Sequence, residues 1–171
     1  AFVRELNRMI SFDERYGTPG SIIYIDMNGL KALNDTYGHE VGDAALKHLA
    51  RMLKDSLRGT DMLARLGGDE FAVLLAHTDE DASAAKAHSL AEQVYASPIM
   101  VDGAPVHLTY AYGTYTFRGD DEAEAALDQA DKAMYEQKRA FKAQQNGDTA
   151  ALLDDSSGGL SDARAVDPDA L

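Results

Sequence analysis

A chain of 171 residues, 45% hydrophobic, with a formal net charge of −13 and no cysteine, suits one soluble globular domain. This composition excludes disulfides, thiolate metal sites and a cysteine nucleophile, leaving oxygen or imidazole donors for any metal, with oxygen favouring magnesium or calcium. The acidic balance argues against broad nucleic-acid binding, and no stretch approaches the roughly 18 apolar residues of a membrane span, so a cytoplasmic chain without direct membrane insertion is expected.

Residues 1–15 carry Phe2, Leu6, Met9 and Ile10 at helical spacing, and Tyr16-Gly17-Thr18-Pro19-Gly20 breaks the pattern. Ser21-Ile22-Ile23-Tyr24-Ile25-Asp26 is β-rich and delivers one acid at its tip, as a buried strand does. A loop is expected through Asn28, Asn34 and Gly38, after which Asp43 opens a helix with a Leu46, Leu49, Leu53 and Leu57 stripe. Residues 62–66 and 71–75 bracket Gly67-Gly68-Asp69-Glu70 as two antiparallel strands joined by a tight turn. A helix over residues 80–96 turns Ala87, Leu90, Ala91 and Val94 inward, and strands follow over 99–101 and 106–117. The last helix, over residues 121–142, presents Leu127, Ala130, Met134 and Phe141 on one face. Residues 144–171 are rich in Asp, Ser, Gly and Ala and read as a mobile acidic tail behind a domain of residues 1–143.

Asp26, Asp69 and Glu70 are the candidate chemistry, since the strand order sets one acid at a strand end and two at the turn of a neighbouring hairpin. Two carboxylates about 4 Å apart repel by roughly 4 kcal/mol at an effective dielectric near 20. Such a cluster takes up a proton or a cation. Magnesium uses one or two carboxylates together with water and phosphate oxygens, which is the chemistry of phosphoryl transfer. The structural alternative is an Asp26 that caps a loop and an ordinary solvated hairpin turn. The five histidines show no zinc or catalytic spacing.

Three blocks extend the pattern: IDMNGLKALNDTYGHEVGD (residues 25–43), RGTDMLARLGGDEF (58–71) and ADKAMYEQK (130–138). In these segments the chain closely resembles the diguanylate cyclase catalytic domain family, which carries a Gly-Gly-Asp-Glu-Phe signature and is known as GGDEF. The resemblance covers roughly residues 1–142. It implies an α/β (α+β) fold with a βααββαβ core, a central, mostly antiparallel sheet flanked by helices, similar to the nucleotidyl cyclases and the polymerase palm.

By resemblance, Asp26, the Met27 carbonyl and Asp69 bind metal, and Glu70 is a second metal ligand or assists removal of the 3′-hydroxyl proton. Two magnesium ions are implied, with manganese an alternative. Gly67 and Gly68 let backbone approach a phosphate. Asn34 and Asp43 match guanine-reading residues, the competing role of Asp43 being a helix N-cap. Lys138 matches a triphosphate-binding lysine, and Lys142 stands where the family usually has arginine. Arg58 and Asp61 match an inhibitory product site, for which the other reading is a structural connection between helix and strand.

The implied activity is condensation of two GTP molecules into cyclic di-GMP with release of pyrophosphate, by a two-fold homodimer under product inhibition. The family segment that should precede Ala1 implies a longer parent with an upstream sensory or dimerising domain, either soluble or membrane-anchored. Phe141-Lys142-Ala143 departs from the family's Gly-Arg-Asn, and Ala111-Tyr112-Gly113 from its Ser-Ile-Gly. The first departure keeps open a weak or inactive domain that serves as a receptor for GTP or cyclic di-GMP. An interaction scaffold without nucleotide is a third class and would make the acidic cluster accidental.

Overall fold

The computed structural model describes residues 1–157, with side chains through residue 147. Along the chain the elements are α1 (Phe2–Tyr16), β1 (Gly20–Met27), α2 (Leu30–Tyr37), α3 (His39–Asp55), β2 (Met62–Arg65), β3 (Glu70–Leu75), α4 (Glu80–Tyr95), β4 (Ile99–Val101), β5 (Ala104–Val106), β6 (Tyr110–Phe117) and α5 (Ala123–Ser157). A first compact unit covers Ala1–Lys138, and a second begins at Arg139. No helix among the described residues is long and apolar enough to cross a membrane.

β1 is buried at all eight positions, so its side chains must find apolar cover on both faces. It runs through the centre of a four-stranded sheet of order β2-β3-β1-β6, with every pairing antiparallel. Alternation then sends successive residues to opposite faces. Ile23, Ile25 and Met27 join Phe71, Val73 and Leu75 against Leu33 of α2, the leucines of α3 and the apolar face of α4. Ile22 and Tyr24 join Ala72, Leu74 and Phe117 against α1 and the Ala123, Ala126, Ala130 and Met134 stripe of α5. Full burial of one such Ile, Leu or Phe contributes about 1.5–3 kcal/mol. Taken without the β4-β5 hairpin, the order from β1 to β6 is the expected βααββαβ core.

Local chemistry sets the ends of the helices. α1 stops at Gly17, whose φ of 63° is left-handed and whose N–H donates to the Asp13 carbonyl. α4 begins at Asp79, whose Oδ1 accepts the Ala82 N–H at 2.9 Å. At the far edge of the sheet, the Gln137 Oε1 accepts the Tyr112 N–H at 2.7 Å.

Five sequence expectations need correction. Residues 30–37 form α2 within the loop expected through Asn28, Asn34 and Gly38, and Gly29 and Gly38 flank this helix as its two caps. Asp43 lies inside α3, which starts four residues earlier at His39, so the N-cap role falls away. The strand expected over 106–117 is divided, with Val106 ending β5 and Tyr110 opening β6. The last helix continues to Ser157, because Ala, Gln and Leu in residues 143–153 keep helix propensity that the polar composition obscured. The part of the expected tail over 158–171 lies outside the described residues. Phe141, expected on the apolar face, is 53% exposed.

Gly113 fixes how closely α5 approaches the sheet. A Cβ there would stand 2.1 Å from the Met134 nitrogen and 2.5 Å from the Ala130 carbonyl oxygen. Both are helix backbone and cannot rotate away. Gly113→Ala should therefore lower unfolding free energy by about 2 kcal/mol, measured by urea denaturation. Gly68→Ala, where a Cβ would meet nothing within 4 Å, should change it little.

Candidate active site

Antiparallel pairing of β1 with β3 sets Asp26 directly opposite Glu70. Asp69 precedes Glu70, and its carbonyl accepts the Met27 N–H at 2.9 Å, carrying the pairing one step further. Strand register therefore brings the three predicted acids and Met27 to one end of the sheet. Like charges directly opposite on a sheet repel, and Asp26 is only 9% exposed. Lys138 relieves part of this repulsion: its Nζ donates to Asp26 Oδ2 at 2.7 Å.

Glu70 is held above its ordinary pKa, first by burial and then by the charges of Asp26, Asp131 and Asp69. The nearby Tyr24 hydroxyl pulls the other way. Tyr24 itself is pushed up to about 12, chiefly by burial and then by Glu70.

The Gly-Gly turn is braced by Arg65, whose Nε donates to the Gly67 carbonyl at 3.1 Å and whose Nη2 donates to the Gly68 carbonyl at 2.7 Å. Gly67 N–H and Leu66 N–H both reach the Glu70 carbonyl, at 3.4 and 2.9 Å. Open space around Gly68 leaves its backbone approachable.

No group of three or more Asp, Glu or His side chains among the described residues is close enough to hold a metal ion. Magnesium, however, needs only one or two carboxylates, the rest of its shell being water and substrate oxygens. Asp26 Oδ1 is buried with no hydrogen-bond partner, an orphan acceptor of the kind a hard cation satisfies. The donor set fits such an ion.

The remaining predicted residues fall elsewhere. Asn34 on α2 packs against α3, where a Cβ on Gly42 would lie 1.7 Å from Asn34 Oδ1. The neighbouring Asp43 borders a cavity of about 290 Å³ with Lys47, Arg65 and Phe71. Lys142 is exposed and belongs to the second unit. Arg58 and Asp61 precede β2, at the end of that strand opposite the glycine turn. Both Asp61 carboxylate oxygens accept backbone N–H groups, Oδ2 from Arg58 at 2.9 Å and Oδ1 from Ala76 at 3.2 Å. A cavity of about 590 Å³ lies between α1 and this connection, away from the acids.

Sequence reasoning passed over Tyr24, Asp131 and Arg65. Tyr24 left a signal, as a hydroxyl inside an otherwise aliphatic strand needs a partner.

The sequence profile of "Diguanylate cyclase, GGDEF domain" matches residues 1–144. The chain belongs to this GGDEF family. It is 38% identical over 120 residues to diguanylate cyclase A of Treponema denticola, covering 70% of this chain and 32% of that protein. It is 39% identical over 144 residues to diguanylate cyclase TpbB of Pseudomonas aeruginosa, covering 81% and 32%. The chain thus spans about a third of the length of these curated relatives. The crystal structure of the GGDEF domain of TpbB superposes with a TM-score of 0.74 at 34% identity, over 81% of this chain and 88% of that one.

The charge arrangement has a measurable consequence in metal-free buffer. A raised native pKa means that native Glu70 holds more proton than unfolded Glu70 above the ordinary value of 4.5. Stability therefore falls as pH rises through that window. Glu70→Gln should raise the thermal midpoint at pH 7 in EDTA, and the gain should vanish as pH drops below the ordinary glutamate range, as read by calorimetry at several pH values.

Proposed function

We propose that this GGDEF domain, within residues 1–143, joins two GTP molecules into one cyclic di-GMP with release of two pyrophosphates. The observation that carries this reading is the alignment of Asp26 and Glu70 beside Asp69 and Lys138, inside a family-matched frame. Each 3′-oxygen attacks the α-phosphorus of the other GTP, a new P–O bond forms, and the bond to pyrophosphate breaks. Two subunits each hold one GTP, and their two-fold relation matches the symmetry of the product.

Asp26, the Met27 carbonyl, Asp69 and Glu70 would hold magnesium or manganese, with two ions per site. The metal supplies charge to the triphosphate and polarises the reacting oxygens. Glu70 is either a second ligand to the metal or the group that accepts the 3′-hydroxyl proton. The Lys138 ammonium is positioned by Asp26 and offers positive charge to the triphosphate. Gly67 and Gly68 line the phosphates. Asp43 accepts the guanine N1–H and N2–H₂ donors, with Asn34 beside it, a pairing that adenine lacks.

The purified chain, incubated with GTP and magnesium, should release pyrophosphate and cyclic di-GMP at a specific activity that rises with protein concentration. Asp69→Asn should lower turnover at least a hundredfold with an unchanged circular dichroism spectrum. Nucleotide binding without product in the parent would identify a receptor instead.

At the expected product site, backbone N–H groups already occupy both Asp61 oxygens. We assign the phosphate grip to the exposed Arg58 and a bracing role to Asp61. In progress curves with added cyclic di-GMP, Arg58→Ala should be less inhibited than the parent and equally stable. Asp61→Ala should lose about 1 kcal/mol of stability; equal inhibition of parent and Arg58→Ala would remove the grip.

A further inference from the structure

One side chain in the cleft is not accounted for by the nucleotide chemistry above. Tyr24 stands in β1 two residues before Asp26, on the same face of the sheet, and is 7% exposed. In a strand otherwise composed of Ile at its inner positions, a phenol adds a polar atom that needs a partner once desolvated. Its cross-strand neighbours are Ala72 on one side and Gly113 on the other. Neither neighbour carries a side chain beyond Cβ, and the space over Gly113 is taken by the α5 backbone. Glu70 stands two residues before Ala72 in β3, on the same face and diagonally across from Tyr24, within reach of the phenol.

Glu70 meets a second constraint from the turn. A Cβ on Gly67 would stand 3.0 Å from Glu70 Oε2, tighter than an ordinary van der Waals contact, so the glycine leaves the space that this oxygen uses. Without such constraints, the repulsion from Asp26, Asp69 and Asp131 would drive the carboxylate outward into water, where its charge is better solvated. The register that makes the cluster also makes Glu70 its least willing member.

We propose that Tyr24 is a positioning residue of the reaction, its hydroxyl and the bare Gly67 together holding the Glu70 carboxylate in the cleft beside Asp26. The inference rests on the cyclase reading and deepens it. Tyr24 itself touches neither nucleotide nor metal; it acts through Glu70, keeping that group at the reacting oxygens before substrate arrives. A preset carboxylate avoids reorganisation during the reaction, which is where a well-placed group gains most of its effect.

The test is Tyr24→Phe, which keeps the ring and the packing and removes one oxygen. Three quantities are compared with the parent: thermal midpoint in EDTA, kcat and KM for GTP with magnesium, and manganese binding followed by electron paramagnetic resonance in the presence of a non-cyclising α,β-methylene GTP analogue. The expected result is a kcat lower by about tenfold with KM changed less than twofold, the size of one hydrogen bond to a charged group. Manganese should bind about fivefold more weakly. A purely structural Tyr24 would move the thermal midpoint and leave the manganese affinity and the kcat-to-KM split alone. Unchanged manganese binding together with unchanged kcat overturns the proposal, as does a parent that binds no manganese with the analogue. A parent that binds manganese but yields no cyclic di-GMP would sink the cyclase reading separately, and the manganese comparison would still decide the place of Tyr24.

Discussion

The alignment of Asp26 against Glu70 is the constraint on which the rest of the molecule turns. Two antiparallel strands cannot set acids opposite each other near a buried sheet end without a cost, and like charges so placed repel. The surroundings read as responses to that cost. Lys138 comes in from α5 to Asp26, Tyr24 lies diagonally across from Glu70 on the same face, and Arg65 ties down the turn that carries Asp69. A shift of β1 by one residue would send Asp26 to the other face and seat Ile25 or Met27 in its place. The apolar residues that fix the register, Ile23 and Ile25 on one face and Ile22 and Tyr24 on the other, thus also fix the site.

Delivery of Lys138 and Asp131 depends on packing some distance from the charges. α5 reaches the sheet over Gly113, where no side chain intervenes between its backbone and β6. Ala126, Ala130 and Met134 bury the same side of the helix, and one turn beyond Met134 lies Lys138. Small residues at the contact therefore set the height at which the lysine arrives. Core volume and site geometry are one variable here.

Much of this was legible in the sequence because it rests on periodicity. Phe2, Leu6, Met9 and Ile10 predicted the inner face of α1, and Leu46, Leu49 and Leu53 that of α3. The strand-turn-strand pattern around Gly67-Gly68 located Asp69 and Glu70, and the acid at the tip of β1 located Asp26. Other features were hidden for physical reasons. α2 is a two-turn helix with a single buried residue, Leu33, too short to display a period and bounded by glycines that resemble loop signals. Asp43 looked like a cap because a helix was expected to open there, whereas α3 already has Gly38 at its N-cap. The partners of charged groups are the least legible of all, since nothing local ties Tyr24 to Glu70 or the Asp61 carboxylate to Ala76 N–H. Those pairings exist only after the strands have aligned.

The Gln137 contact with Tyr112 N–H bears on how copies of this domain can meet. β6 is an outer strand of the sheet, and outer strands present unpaired amides to which another chain can add. Here a side-chain amide from α5 accepts one of those donors, acting as a plug in the middle of the strand. A sheet running continuously through two molecules at this border would first have to dislodge it, and the opposite border, β2, is only four residues long. Any contact between copies is therefore steered toward helices and loops, where it can form and part without unzipping the fold.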